Sequence, residues 1–375
     1  MTDRTGVELR SRISAAGELT LSLEEVAVPD PGPGQVLVRM EASPLNPSDL
    51  GLLLGPADLS GMKASGTAAR PVLTAPVPPA ALKRVAARLD QSMPVGNEGA
   101  GTVIAAGEGV EDMVGKRVAM LGGSMYAQYR TIPAAACLVL PDGATAEQGA
   151  SAFVNPLTAL AMVETMRAEG HTALIHTAAA SNLGQMLNRI CQADGVKLVN
   201  IVRKPEQAEI LRAQGAEWIC DSSDPDFDAK LADAIEATGA TIAFDAIGGG
   251  TLAGRILAAM EAALSKGQAY SRYGSSVRKQ VYIYGNLDLG PTVIDRSFGL
   301  SWATGGFLLT NFMAAASPET RARMSARVAA ELTTTFASHY AGTLTLAETL
   351  DPAKVEVYQA KATGVKYLIT PDKGL

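Results

Sequence analysis

The chain has 375 residues, of which 47% are hydrophobic and 19% are charged, and its net charge is −6. A chain of this length and composition can form about two domains with substantial cores, and disorder is not expected. The acidic balance and the lack of a long basic run argue against a nucleic-acid partner.

The cysteine pattern and the N-terminal sequence indicate in which cellular compartment the protein is expected. The three cysteines, Cys137, Cys191 and Cys220, have no paired spacing, which fits a reducing environment and argues against a disulfide framework. No apolar segment follows the polar N-terminus, so we expect neither a signal peptide nor a membrane span. The sequence therefore predicts a cytoplasmic protein without a membrane partner.

The first 150 residues have the pattern of a compact, mostly antiparallel β domain. Short alternating apolar runs are separated by turns rich in proline and glycine, such as 29–34 and 107–109. Similar strand patterns return at 342–346 and 366–370, so we expect the C-terminal segment to fold with this domain. The predicted bounds are 1–153 together with 314–375.

The segment 52–94 interrupts this pattern. It combines a leucine run, small residues, a proline-rich stretch and a helical pattern at 80–89. We predict an insertion outside the core. It is explained either as a surface excursion or as a lid or dimer contact.

Strands and helices alternate over the predicted second domain, 154–313. Apolar runs at 172–176, 196–202, 218–219 and 242–247 are separated by helical patterns. This alternation predicts a parallel, doubly wound α/β sheet.

The turn after the run at 172–176 is the most informative segment. Small residues follow the strand and a helix begins, which would let backbone N–H groups and the positive end of the helix dipole hold a diphosphate. The usual three glycines are here Ala179, Ser181 and Gly184, so an ordinary strand-to-helix turn remains an alternative. The predicted cofactor-binding residues of this turn are Ala179, Ala180, Ser181, Asn182, Leu183 and Gly184.

Two cations follow the next predicted strand, where NAD-binding domains usually carry an acidic residue. Arg203 and Lys204 occupy this place, and a guanidinium can bind a 2′-phosphate with two hydrogen bonds. The sequence thus favours NADPH over NADH, although a solvated Arg–Lys pair would give the same pattern.

Several motifs, in order, resemble the medium-chain dehydrogenase/reductase superfamily, in its zinc-free quinone oxidoreductase and enoyl-thioester reductase branch. They are the segments 31–49, 96–101, 115–119, 155–159, 179–184, 244–248 and 281–286. The resemblance implies a Rossmann cofactor domain and a GroES-like β domain. It implies a substrate position near Asn46 and a nicotinamide position near Thr158. It also implies cofactor contacts from Ala246, Ile247, Tyr284 and Gly285, and a homodimer formed at the sheet edge.

Zinc-dependent members of that superfamily carry metal ligands at positions that match Asn46, Asn97 and Val154 here. None of these residues is a good zinc ligand. The three histidines, His171, His176 and His339, are scattered, and each is more simply explained as structural. We predict no metal, so donors of hydrogen bonds must meet a substrate oxyanion.

Enoyl-thioester reductases have a tyrosine soon after the asparagine–proline turn, and the matching stretch 49–55 lacks one. Other phenols are Tyr126, Tyr270, Tyr273 and Tyr284, each of which is also explained as a core or rim residue. We take Tyr273 as the leading substitute and Asn46 and Asn97 as the other candidate catalytic residues.

The sequence therefore predicts an NADPH-dependent, metal-free reductase that acts on a small molecule, either a quinone or an α,β-unsaturated carbonyl. The missing tyrosine argues against straightforward enoyl reduction, whereas water can protonate a reduced quinone. A non-catalytic nucleotide sensor on the same scaffold remains an alternative, as does an enoyl-thioester reductase. A zinc alcohol dehydrogenase is the third alternative.

Overall fold

The computed structural model describes residues 4–374, which form two compact units. The first unit comprises the residues up to Val154 and those from Ser325 onward, and the second comprises Asn155–Met324. The sequence placed the second boundary at 313, which lies inside a helix. Residues 314–324 lie in the second unit, where the Arg323 guanidinium donates to Glu164 Oε2 at 2.7 Å.

Up to residue 150, the described residues form short helices and ten strands. The strands are β1 (Thr5–Ile13), β2 (Glu18–Ala27), β3 (Gln35–Pro44), β4 (Lys63–Gly66), β5 (Pro71–Pro76), β6 (Met93–Pro94), β7 (Glu98–Ala106), β8 (Arg117–Leu121), β9 (Tyr129–Pro133) and β10 (Cys137–Val139). The α-helices are α1 (Leu50–Leu53), α2 (Pro79–Leu82) and α3 (Ala146–Gly149), and 3-10 turns occur at Leu59–Gly61, Lys83–Arg88, Glu111–Met113 and Ala134–Ala136.

Longer helices dominate the rest of the chain. They are α4 (Val154–Ala168), α5 (Asn182–Ala193), α6 (Pro205–Ala213), α7 (Phe227–Thr238), α8 (Leu252–Ser265), α9 (Leu309–Ala315), α10 (Pro318–Ala330) and α11 (Pro352–Gln359). The strands are β11 (Ala173–His176), β12 (Lys197–Val202), β13 (Trp218–Asp221), β14 (Ile242–Asp245), β15 (Gly248–Gly250), β16 (Lys279–Ile283), β17 (Asp288–Thr292), β18 (Trp302–Gly306), β19 (Gly342–Leu344) and β20 (Tyr367–Ile369).

The first unit is built mainly from antiparallel strands, as expected. One sheet has the order β4-β5-β2-β1-β6, and the other has the order β10-β8-β7-β3-β20-β19 with β9 also paired to β3. The C-terminal strand β20 pairs with β3 through Leu368 opposite Pro44. The prediction of a mostly antiparallel β domain is therefore confirmed, and the C-terminal segment contributes β19 and β20 to its second sheet.

The segment 52–94 differs from the expectation of an insertion outside the core. Its strand β5 pairs with β2, and β4 pairs with β5, so the segment widens the first sheet. Leu53, Leu73 and Val77 are buried in the same hydrophobic cluster as Leu9 and Leu21. The alternation in β5 is only six residues long and bounded by prolines, which concealed this strand in the sequence.

The second unit contains a six-stranded sheet in the order β13-β12-β11-β14-β16-β18, with every neighbouring pair parallel. This order is that of a Rossmann fold, and it confirms the predicted doubly wound sheet. Val199, Ala243 and Val281 point to the side of the sheet that α7 and α8 cover. Within residues 4–374 no helix is long and apolar enough to cross a membrane.

Candidate functional site

The turn between β11 and α5 places the N-terminus of a twelve-residue helix at the carboxyl end of β11. Ser181 caps α5, and its hydroxyl accepts a hydrogen bond from the backbone N–H of Gly184 at 3.2 Å. The turn is fixed against the neighbouring strand because Ala179 N–H donates to Ile201 O. The first N–H groups of α5 have no carbonyl one turn earlier in the helix, so they suit an anionic group.

Gly184 is required by the protein's own backbone. A Cβ atom at this position would lie 2.2 Å from the carbonyl oxygen of Ala179. The glycine therefore lets α5 pack closely against the turn that precedes it, which is the role of the third glycine in dinucleotide-binding turns. Ala178 has a φ of +50°, a conformation that strains a residue with a side chain.

The Asp245 carboxylate organises the turn after β14. Its Oδ1 accepts from the Thr177 hydroxyl at 2.8 Å and from Ile247 N–H at 2.9 Å, and its Oδ2 accepts from Gly248 N–H at 3.2 Å. Ala246 N–H donates to the Thr177 hydroxyl oxygen at 2.8 Å. The predicted residues Ala246 and Ile247 are thus held beside the end of β11.

Tyr284 and Gly285 follow β16 at the same edge of the sheet. A Cβ atom at Gly285 would lie 2.4 Å from Ala246 O, so the turns after β14 and β16 approach each other closely. The Tyr284 hydroxyl lies 2.8 Å from His176 Nε2, at the end of β11. The carboxyl ends of β11, β14 and β16 therefore form one contiguous site, which is where open α/β sheets bind ligands.

A cavity of about 520 Å³ lies at this end of β16 and β18. Aromatic side chains and two asparagines line much of it: Tyr282, Tyr284, Phe307, Phe312, Asn286 and Asn311. Its volume is in the range of small-molecule and cofactor sites.

Arg203 and Lys204 are exposed immediately after β12. The Arg203 backbone N–H donates to Gln207 Oε1, and neither side chain forms an ion pair within the described residues. Their charges are consequently available to an anion at the carboxyl end of β12. Thr158 is buried in the first turns of α4.

Tyr273 is not placed with these residues. It lies in the loop between α8 and β16, at the amino end of β16, and its side chain is 56% exposed. Parallel strands carry their carboxyl ends at one edge, so this loop belongs to the opposite edge from Tyr284. The structure gives no geometric support for Tyr273 as the substrate-side phenol.

The other two candidate catalytic residues, Asn46 and Asn97, are held in the first unit by one carboxylate. Asp49 Oδ2 accepts from Asn46 N–H and Oδ1 accepts from Asn97 N–H, both at 2.8 Å. The Asn97 side chain donates to Ser48 Oγ at 3.1 Å. Two segments about fifty residues apart in sequence are thereby joined.

A second buried carboxylate, Glu98, binds the side chain of Asn46. Its Oε1 accepts from Asn46 Nδ2 at 2.8 Å, while its Oε2 accepts from the N–H groups of Phe153 and Val154 at 3.0 and 2.8 Å. Every group that the structure places on Glu98 is a donor, which fixes the amide nitrogen of Asn46 toward the carboxylate. Asn46 Oδ1 is left buried with no partner among the described residues.

Lys366 supplies the positive charge of this cluster. Its Nζ donates to Ser151 Oγ at 2.8 Å, and Ser151 Oγ lies 2.9 Å from the Tyr340 hydroxyl. Burial lowers the pKa of Lys366 to about 8, against the attraction of Glu98 and Asp49. Burial likewise raises the pKa of Asp49 to about 7 and raises that of Glu98.

This cluster contains positions 46, 97 and 154, which the resemblance matches to the metal ligands of zinc-dependent members of the superfamily. In this chain these positions are Asn46, whose amide nitrogen is bound to Glu98, Asn97 and Val154. Two amides and an aliphatic side chain are an unsuitable set of ligands for zinc. Across residues 4–374, no three His, Cys, Asp or Glu side chains are grouped as metal ligands would be. The side chains at positions 46, 97 and 154 therefore do not fit a zinc ion.

Sequence reasoning missed several residues that shape these sites. Glu98 and Lys366 carry buried charges, and Thr177 and Asp245 order a backbone turn, but none of them belongs to a pattern with regular spacing. His176 was interpreted as structural, and the structure confirms a hydrogen bond, though to the predicted cofactor residue Tyr284. For Lys366 the sequence does carry one indication of a buried charge, because this lysine interrupts an apolar run.

Residues 32–142 match the family of alcohol dehydrogenase GroES-like domains. The chain is 30% identical over 226 residues to the synaptic vesicle membrane protein VAT-1 homolog of Rattus norvegicus, covering 59% of this chain and 48% of that protein. It is 26% identical over 196 residues to the mitochondrial enoyl-(acyl-carrier-protein) reductase of Caenorhabditis elegans, covering 51% and 49%. The chain spans about half the length of these curated relatives.

Solved structures match over nearly the whole chain. A protein from Mesorhizobium loti, provisionally named an NADPH:quinone reductase, is 28% identical with a TM-score of 0.73, covering 99% of this chain and 100% of that one. The Escherichia coli quinone oxidoreductase, solved with NADPH, is 19% identical with a TM-score of 0.69, covering 98% and 100%. The latter likeness concerns the fold.

Proposed function

We propose that the chain is an NADPH-dependent, metal-free reductase of quinones or α,β-unsaturated carbonyls from the medium-chain dehydrogenase/reductase superfamily, in line with its GroES-like domain match and its likeness to the Mesorhizobium loti protein. The observation that carries the proposal is the N-terminus of α5, capped by Ser181 at the end of β11, which lies beside the exposed cations after β12. A nucleotide with a diphosphate and a 2′-phosphate matches this pairing of a helix N-terminus with a guanidinium.

The cofactor would be held by residues from four strand ends and by Thr158 of α4. The backbone of Ser181–Gly184 would bind the diphosphate, Arg203 and Lys204 the 2′-phosphate, and Thr158, Ala246, Ile247, Tyr284 and Gly285 the nicotinamide side. When bound, NADPH supplies a hydride from its nicotinamide ring. The protein's part is to orient the ring and to exclude water from it.

The residues at 46, 97 and 154 do not fit zinc, so no metal at these positions would stabilise the negative charge that develops on the acceptor oxygen. A hydrogen-bond donor must do so instead. Asn46 and Asn97 remain the proposed substrate-side residues of the first unit. The bond from Asn46 Nδ2 to Glu98 leaves Asn46 an acceptor through Oδ1. Asn46 would therefore bind a hydroxyl or N–H of the substrate or product, which favours a quinone, since its reduction creates hydroxyl groups.

Two observations favour a second candidate, a sensor that binds NADPH without turnover. The turn after β11 has one glycine where three are usual, and Ala178 is strained. An enoyl-thioester reductase is the further alternative, supported by the likeness to a nematode protein of that name.

A titration combined with a substrate panel tests the proposal. Protein fluorescence with NADPH and NADH is expected to show preferential binding of NADPH. Absorbance at 340 nm is then expected to fall with benzoquinone or phenanthrenequinone. Binding without oxidation by any quinone, enone or enoyl thioester would favour the sensor, and no binding of either cofactor would refute both.

We also propose a homodimer. Strand β18 pairs with β16 on one side only within the described residues, so it is an edge strand open to a second copy. Light scattering should give twice the mass of 38.8 kDa. A monomer at micromolar concentration would contradict this arrangement.

A further inference from the structure

We infer that Tyr284 donates a hydrogen bond to a carbonyl oxygen of the ligand in the aromatic cavity, and that His176 is the residue that positions its hydroxyl. The inference rests on the proposed function and deepens it, because it supplies the oxyanion donor that Asn46 and Tyr273 do not. The carbonyl has two sources, the acceptor substrate or the carboxamide of the nicotinamide, and the experiment below separates them.

The two side chains form a rigid pair. The ring centroids of His176 and Tyr284 are 5.7 Å apart with an angle of 20° between the planes, and His176 Nε2 lies 2.8 Å from the Tyr284 hydroxyl oxygen. His176 is fully buried on β11, and Tyr284 follows β16, two strands away. Packing and one hydrogen bond therefore fix the hydroxyl in a single position.

The direction of that hydrogen bond follows from the other ring nitrogen. His176 Nδ1 is buried and has no partner among the described residues. A buried N–H without an acceptor is rarer and costlier than an acceptor without a donor, so Nδ1 is the unprotonated nitrogen. His176 then donates its Nε2–H to Tyr284, and the proton of the Tyr284 hydroxyl is left for another acceptor.

Both groups keep these protonation states over the physiological range. Burial lowers the pKa of His176 to about 3, so the imidazole is neutral. Burial and the Asp245 charge raise the pKa of Tyr284 well above its usual value, so the phenol stays protonated. Tyr284 is thus suited to donate a hydrogen bond rather than to transfer its proton, and the product takes its proton from water.

The cavity that Tyr284 lines suits a planar ring bearing a carbonyl. Tyr282, Phe307 and Phe312 supply its aromatic walls. The Tyr282 hydroxyl donates to Glu169 and is therefore committed to the protein. Tyr284 is the phenol of this cavity whose proton the structure leaves without an acceptor.

Nitrogen NMR of His176 tests the inference without any turnover. The chain has three histidines, so ¹⁵N-histidine labelling with comparison of His176→Gln assigns the resonance. The expected result is a neutral ring protonated at Nε2. A ring protonated at Nδ1 would overturn the inference, because the unprotonated Nε2 would then accept the proton of the Tyr284 hydroxyl.

Variants then identify the source of the carbonyl. Tyr284→Phe is expected either to lower quinone kcat/KM about 100-fold at unchanged NADPH affinity, or to weaken NADPH about tenfold. The first result assigns the acceptor and the second the carboxamide. Binding of 2′,5′-ADP, which lacks the nicotinamide, should be unchanged in both cases. Tyr270→Phe is the control, because this phenol is exposed in the loop at the amino end of β16, and it should stay near wild type.

His176 variants test the positioning role. His176→Gln keeps an N–H near Nε2 and should retain most of the effect, whereas His176→Leu should resemble Tyr284→Phe. If Tyr284→Phe leaves NADPH affinity and turnover within about twofold, the inference is wrong. If the wild type reduces no acceptor, the proposed function fails, while the NMR and NADPH titrations still decide the role of Tyr284.

Discussion

The amide nitrogen of Asn46 donates to Glu98 Oε1 at 2.8 Å, and this bond determines which atom of Asn46 faces other partners. We predict that Asn46→Asp, which sets a carboxylate against Glu98, lowers the free energy of unfolding by about 2–4 kcal/mol at pH 8. Asn97→Asp is the control, because its side chain makes an exposed bond to Ser48, and it should cost less than about 1 kcal/mol. Equal losses in urea unfolding would contradict this interpretation.

Removal of the buried cation should be costly as well. Lys366→Met would leave Glu98 and Asp49 buried without a positive charge, and we expect a loss of about 3–5 kcal/mol. Lys63→Met removes an exposed lysine of β4 and should change stability by less than about 0.5 kcal/mol. Thermal unfolding of both variants measures the difference in stability. If both changes leave the stability almost unaltered, Lys366 does not compensate the charges of Glu98 and Asp49.

The turn after β11 gives a prediction from contact distance. Gly184→Ala would place Cβ 2.2 Å from the Ala179 carbonyl oxygen, so the turn must shift. We expect a loss of at least about 2 kcal/mol in stability and weaker NADPH binding. Gly51→Ala, at an exposed position of α1 with open space around the new methyl group, should be neutral or slightly stabilising. Wild-type NADPH affinity in Gly184→Ala would show that this turn does not hold the diphosphate.

Cofactor selection should depend on the cations after β12. Arg203→Asp is expected to weaken NADPH about 10- to 100-fold, with a change of less than about threefold for NADH. Arg272→Asp makes the same charge change in the loop at the amino end of β16 and should leave the ratio of the two affinities unchanged. A ratio that is the same in all three proteins would assign the 2′-phosphate to other residues.

His176 should make stability fall at acid pH. Its pKa is about 3 in the folded protein and 6.5 in the unfolded chain, so between these values the unfolded chain binds the extra proton. Stability is therefore lost as pH falls below 6.5, by about 1.4 kcal/mol per pH unit. His176→Gln lacks this term, so its stability relative to wild type should improve by about 2 kcal/mol between pH 7.5 and pH 5. A difference that does not vary with pH would mean that the folded histidine can be protonated.

The fold could be predicted from sequence where the pattern was regular. Alternating helices and strands over 154–313 predicted the parallel sheet, and the small residues before Gly184 predicted the turn at the end of β11. The strand β5 could not be predicted, because its prolines hide a short alternation. Its place in the core depends on pairing with β2, which no local pattern reveals.

The site was predictable in part for a similar reason. Arg203 and the turn residues were found because they follow a recognisable strand. Glu98 and Lys366 lie 268 positions apart in the numbering, and only folding brings their charges together. The sequence analysis favours Tyr273 over Tyr284 as the substrate-side phenol. A sequence alone does not show at which edge of the sheet the loop that carries Tyr273 lies.

The most direct test of the central claim is a single-turnover measurement on protein dialysed against a chelator until metal analysis finds no zinc. Mixed with NADPH deuterated at the transferred position and excess quinone, it should oxidise one NADPH per site, with a primary isotope effect. The rate should be the same after zinc is added back. Absence of NADPH oxidation, or oxidation that appears only with zinc, would contradict a metal-free hydride transfer.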